Sequence, residues 1–143
     1  MIGVDTNVLV YAHRRDSAFH LEAETRLRAL AERPGAWAIP WPCVHEFLAI
    51  VTHPRIYDPP SSLEAAAGQV DAWLESPGVV LLSEGPEHWP GLRDTLVEAR
   101  VMGPVVHDAR IAAICAAHGI DELWSADRDF GRFSAVRTVN PLL

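Results

Sequence analysis

The chain opens on a short apolar run, Met1 to Val4, that stops on an acid, Asp5, and passes directly into the helix-forming segment Thr6 to Ala12. A run of that length and character reads as a buried strand. The helix after it must fold back over the sheet, which leaves Asp5 at the carboxyl end of a strand, where open α/β sheets bind their ligands. An acid in that place can also serve only as a helix cap. The same arrangement returns late in the chain, where the strand-like Glu122 to Ser125 runs into Ala126-Asp127-Arg128-Asp129-Phe130.

Between these two points strand and helix signals alternate. Asp16 or Ser17 can cap a helix from Ala18 to Arg33, with Ala23, Leu27 and Leu30 on its apolar face and Pro34-Gly35 as its stop. Ala36 to Ile39 is a second strand, and Pro42 to about Thr52 a helix entered through prolines. Ser61 and Glu64 have the spacing of a capping box, and Leu63, Ala67, Val70 and Leu74 mark the buried stripe expected behind it. Val79 to Leu82 is a third strand, and Gly85-Pro86 opens a helix to about Arg100 with Leu92 and Leu96 inward. Trp73 and Trp89 are assigned to helix packing. The helix Val105 to His118 has almost no polar face, so it should be central, and Gly119 ends it. Arg137 to Asn140 is a last short strand.

Such alternation predicts an α/β domain with a parallel sheet covered on both faces. At 143 residues, 49% of them hydrophobic, the chain is expected to form one domain over residues 1–143. No apolar run approaches the roughly 20 residues of a membrane helix, and Asp5 interrupts the start where a signal peptide would stay apolar. A cytoplasmic protein with no membrane partner is the expectation. Cys43 and Cys115 sit in apolar helical segments and are read as core residues.

With right-handed crossovers the carboxyl ends of the strands share one edge. Asp5 and Asp127 fall there, and Asp108, in the first turn of its helix, can reach it, although a helix dipole alone would also favour an acid at that position. Glu46 is the fourth acid, set among Val44, Phe47, Leu48, Ala49, Ile50 and Val51. Buried, it needs a partner or a metal; on a polar stripe beside His45 it simply faces water, and the sequence supports both. Four converging carboxylates repel unless a cation neutralises them. All-oxygen ligands favour a hard ion, Mg²⁺ or Mn²⁺, and such a site suits attack of water on a phosphodiester.

Together Val4-Asp5-Thr6-Asn7-Val8-Leu9, Glu46 in its apolar helix, His107-Asp108-Ala109 and Ser125-Ala126-Asp127-Arg128-Asp129-Phe130 resemble the PIN-domain nucleases. They are more closely similar to the VapC ribonuclease toxins, a branch of which Thr52-His53-Pro54-Arg55-Ile56-Tyr57 also resembles. The resemblance spans nearly the whole chain. It implies a three-layer α/β/α PIN-like fold with a central parallel sheet, Mg²⁺-dependent endoribonuclease activity, homodimerisation and inhibition by a VapB-type antitoxin. Carried onto this chain, it makes Asp5 and Asp108 the main metal ligands and Glu46 and Asp127 the remaining catalytic acids. Thr6, Asn7 and Ser125 match polar neighbours that orient them. Asp129 either shares the role of Asp127 or turns outward.

The formal net charge of −7 argues against a nucleic-acid partner at face value. The charge is uneven, however: Glu64 to Glu98 is acidic with Arg93 its only base, and arginines gather at 14–15, 26–33 and 128–137. Arg14, Arg15 and Arg128 are the arginines expected at the rim of an RNA site. All twelve basic residues are arginine. Without a lysine there is no Walker-A loop, no Schiff base, and no complete haloacid-dehalogenase or phospho-receiver site. The seven histidines lack the His-Glu-x-x-His spacing of zinc hydrolases. The remaining alternative is a PIN-like module that binds RNA or protein without cutting, which would gain little from clustered acids.

Overall fold

The computed structural model describes residues 1–143. Five short strands form one sheet: β1 (Ile2–Val4), β2 (Trp37–Pro40), β3 (Val79–Leu82), β4 (Glu122–Trp124) and β5 (Thr138–Val139). Their order is β3-β2-β1-β4-β5, and every pairing is parallel. Six helices cover the sheet: α1 (Thr6–His13), α2 (His20–Glu32), α3 (Trp41–Val51), α4 (Leu63–Leu74), α5 (His88–Ala99) and α6 (Val106–Ala117). The parallel α/β architecture expected from the alternation is therefore the one observed.

A parallel sheet buried on both faces calls for continuous rather than alternating apolar strands, and Trp37 to Pro40 is buried at all four positions. Val4, Ile39, Leu82 and Leu123 carry the core across four strands. From above and below, Leu9, Phe47, Ile111 and Ile114 pack onto it. Residues 111–115 of α6 are all buried, as an apolar central helix requires, and Gly119 ends that helix at φ +66°. Gly78 sits where the α4–β3 loop meets the α2–β2 loop, and a Cβ there would lie 2.3 Å from the Gly35 carbonyl oxygen.

Several local expectations are corrected. The cap of α4 is Ser62, whose hydroxyl accepts from the Ala65 amide. Ser61 instead bonds His13 and Arg14. Along α4 the buried positions are Ala66 and Trp73, with Val70 packed partly against the core as expected, while Leu63, Ala67 and Leu74 are exposed. Neither Asp16 nor Ser17 caps α2, which begins later, after Phe19; Asp16 is held by Arg14. Trp73 packs in the core, but Trp89 is 61% exposed.

The strand order reverses direction at β1: β2 and β3 lie on one side, β4 and β5 on the other. A crevice opens at such a switch point beyond the carboxyl ends of the strands. The register Val4↔Trp124 sets Asp5 opposite Ser125 at that crevice.

Candidate metal centre

Asp5 is only 4% exposed. It occupies the cap position of α1 yet makes no side-chain capping bond to that helix. Its carboxylate points into the crevice, where Oδ2 accepts the Ser125 hydroxyl at 2.7 Å and the Asn7 amide at 3.4 Å. The Cys43 thiol approaches Oδ1 at 3.6 Å. Burial pushes the Asp5 carboxyl up from 3.8 to about 6; the Ser125 hydrogen bond opposes that rise and the charge of Glu46 adds to it.

Asn7, one position into α1, ties this acid to the far side of the crevice. Its Nδ2 donates to Ser125 Oγ at 3.2 Å, and its Oδ1 accepts the Ala126 amide at 3.1 Å. Ser125 Oγ also accepts the Asp127 amide at 3.0 Å. One hydroxyl thus orients Asp5 and the backbone of Asp127 together.

Glu46 resolves toward the site. It is half-buried, and its Oε2 accepts the Thr6 hydroxyl at 2.8 Å. Thr6 follows Asp5 directly, so that bond holds α3 against the start of α1. The charge of Glu46 helps raise the carboxyls of both Asp5 and Asp108. His45, its neighbour, is exposed and stacks on Trp41 instead.

Asp108 lies in the first turn of α6 and is half-buried. Burial first, and then the charges of Asp127, Asp5, Glu46 and Asp129, raise its carboxyl from 3.8 to about 6. Carboxylate oxygens of Asp108, Asp127 and Asp129 lie within 4.8 Å of one another. Asp127 lies three residues past β4 and caps the 3-10 turn Arg128–Arg132, its Oδ1 accepting the Asp129 amide at 2.9 Å. Asp129 is exposed, yet one of its carboxylate oxygens lies with those of Asp108 and Asp127.

All four acids expected from the sequence thus reach one crevice, with Asp129 as a fifth. Asp5 and Glu46 stand beside the tight group of three rather than inside it. The thiol of Cys43 is the contact that the sequence left unassigned: in an apolar helix a cysteine reads as filler, and nothing local marks this one as reaching an acid.

The donor set fits a hard divalent cation. Every group is a carboxylate oxygen, which favours Mg²⁺ or Mn²⁺ over thiophilic metals. Asp5 and Asp108 are both raised to about 6, first by burial and then by the charges of neighbouring acids, which a bound cation would offset.

A family model described as PIN domain matches residues 2–136. Ribonuclease VapC48 of Mycobacterium tuberculosis is 34% identical over 137 residues, covering 96% of this chain and 94% of the relative. Ribonuclease VapC43 of the same organism is 35% identical over 142 residues, covering 99% and 96%. Among solved structures, VapBC2 from Rickettsia felis, bound to a DNA fragment from its promoter, matches with a TM-score of 0.72 at 19% identity, covering 98% of each chain. Mycobacterium tuberculosis VapC20, described as a Sarcin-Ricin loop cleaving toxin, matches with a TM-score of 0.69 at 21% identity, covering 96% and 99%.

Proposed function

The chain belongs to the PIN-domain family, alongside relatives named VapC ribonucleases, and we propose that it is a divalent-metal-dependent endoribonuclease and the toxin of a type II toxin–antitoxin pair. The observation that supports the metal-dependent reading is the convergence of five carboxylates from distant segments on the crevice at the strand-order reversal, two of them raised to about 6. A module that only bound RNA would be weakened by that charge.

Asp5 and Asp108 would hold the ion, with Asp127 completing the set and Asp129 beside it. Asp5 would offer Oδ1, which only the Cys43 thiol approaches, because Ser125 and Asn7 both engage Oδ2. When bound, Mg²⁺ or Mn²⁺ would acidify a water and neutralise charge gathering on the phosphate. The protein supplies position and proton traffic. Thr6 fixes Glu46 through Oε2, which leaves Oε1 to accept a proton from the attacking water. As the new P–O bond forms, the bond to the leaving ribose oxygen breaks and that oxygen takes up a proton.

A VapB-type antitoxin and a second copy of the chain are the proposed protein partners. Neighbouring structures described as toxin–antitoxin complexes support the first. No helix is long and apolar enough to cross a membrane. The test is cleavage of RNA by purified protein with Mg²⁺ or Mn²⁺. EDTA and Asp5→Asn or Asp108→Asn should each abolish it with the fold retained. Cleavage that survives both substitutions refutes the proposed centre.

A further inference from the structure

A second cavity, of about 250 Å³, lies beside the acid cluster, beyond the carboxyl ends of β4 and β5. Ser125 and Asp127 line its inner side, so it opens directly off the proposed metal centre. Arg128, Thr138 and Asn140 form the rest of its polar wall, with Gly131 leaving the approach open. None of these last residues takes part in the acid network.

The hydrogen-bonding state of that wall is unusual. Thr138 Oγ1 is the only buried side-chain polar atom in the chain without a partner. Leaving a buried hydroxyl unpaired is disfavoured, and such orphans call for a ligand or water to complete them. Asn140 Oδ1 accepts the Leu142 amide at 2.9 Å, which fixes the side-chain orientation and leaves its NH₂ without a protein acceptor. Arg128 enters no ion pair. Guanidinium and amide NH₂ groups can only donate, and the hydroxyl can do either. Thr138 Oγ1 is buried behind this wall, so the donors that the wall presents without a protein acceptor are the Arg128 guanidinium and the Asn140 NH₂, with Asp127 and Leu143 completing the lining.

We propose that this cavity is a base-recognition subsite, which takes an RNA nucleobase next to the cleaved phosphate and selects guanine or uracil, the bases with a keto oxygen where adenine and cytosine carry their amino group. Specific reading of RNA depends on unstacked bases whose edges meet side-chain donors and acceptors. Guanine offers O6 and N7, and uracil offers O4 and O2, to the donors of Arg128 and Asn140. Adenine N6 and cytosine N4 would bring an amino group to the place of guanine O6 and uracil O4, against those same donors, leaving both sides unpaired. This assignment rests on the endoribonuclease reading for its substrate class but not for its test.

The experiment measures equilibrium binding of short single-stranded RNAs that differ only in the nucleotide at one position. Asp5→Asn protein is used, so that nothing is cut, and cleavage by the wild type is followed in parallel on the same RNAs. Guanine or uracil should bind about tenfold tighter than adenine or cytosine at one position. Asn140→Asp keeps the acceptor for the Leu142 amide but replaces the NH₂ by an acceptor, so the preference should reverse toward adenine or cytosine even as added charge weakens all binding. Asn140→Ala should flatten the preference without reversing it, with melting curves confirming that each variant is folded. Equal binding of all four bases, or a preference that Asn140→Asp leaves in place, overturns the subsite. If keto preference and its reversal appear in binding while the wild type cuts none of the RNAs, the subsite stands and the nuclease reading falls. If cleavage occurs with no base preference at any position, the reverse holds.

Discussion

Asp5→Asn should make the metal-free protein more stable while it destroys activity. The Asp5 carboxyl titrates near 6 in the fold and at 3.8 ordinarily. Folding therefore favours the protonated acid and penalises the carboxylate. At about 1.36 kcal/mol per tenfold change in proton affinity, the difference amounts to roughly 3 kcal/mol. The penalty is absent below pH 3.8, grows between there and 6, and is complete above 6. Asparagine is neutral throughout and still offers an oxygen to the Ser125 hydroxyl, so about 3 kcal/mol is the ceiling of the gain. For a chain of this size that is a rise in Tm of roughly 10 °C. Thermal melts of both proteins in EDTA, from pH 4 to pH 7.5, should show a difference near zero at the acid end and largest above pH 6. Mn²⁺ at a hundred times the dissociation constant should then cancel most of that difference, because it adds about 2.7 kcal/mol to the wild type. A Tm difference that does not change with pH would refute the claim that Asp5 is held ionised against its surroundings.

Ser125→Ala removes the donor to Asp5 and the acceptor shared by Asn7 and the Asp127 amide; Mn²⁺ affinity by calorimetry should fall about 10- to 100-fold, and an unchanged affinity would count against the orienting role. Glu46→Gln can keep the Thr6 bond but cannot take a proton, so kcat should fall about 10²-fold or more with Mn²⁺ affinity nearly unchanged. Parallel loss of both would make Glu46 a ligand instead. Gly78→Ala forces a methyl against the Gly35 carbonyl and should cost about 1–3 kcal/mol, read as a lower Tm with cleavage per folded molecule intact.

The architecture was legible because a doubly covered parallel sheet writes itself as alternating apolar runs and amphipathic segments. All five strands and six helices lie within a few residues of their expected places. The errors were of cap and rotation. Ser61 and Ser62 are equally good caps by type, and only the tertiary bonds from His13 and Arg14 to Ser61 decide between them. The buried stripe is decided by packing as well: Ala66 and Trp73 face the core where the neighbouring Ala67 and Leu74 were expected. The convergence of Asp5 and Asp127 followed from the shared strand edge, whereas that of Glu46 did not. Its position depends on the Thr6 bond, a contact across 40 residues that no local pattern encodes. Asp129 was undecidable for a similar reason: the cap bond from its amide to Asp127 is what holds it beside that acid.

The arginines answer the conflict between an acidic chain and an RNA substrate. Arg14, assigned to the rim from the sequence, is committed: it pairs with Asp16, bonds Ser61 and the Pro59 carbonyl, and lies 4.2 Å over the Tyr57 ring. It also follows the last turn of α1, about two turns from Asp5. Arg28, Arg93, Arg110 and Arg137 are likewise paired with acids. The other seven, Arg15 among them, are in no ion pair, and of these Arg128 and Arg132 belong to the 3-10 turn that Asp127 caps. Cation and ligand are therefore delivered by one short segment. A polyanion arriving at the crevice would meet Arg128 beside the acids, and the ion those acids hold would complete the positive face that the net charge conceals. The overall charge describes the distant helices, while the local charge of the crevice is set by what the carboxylates bind.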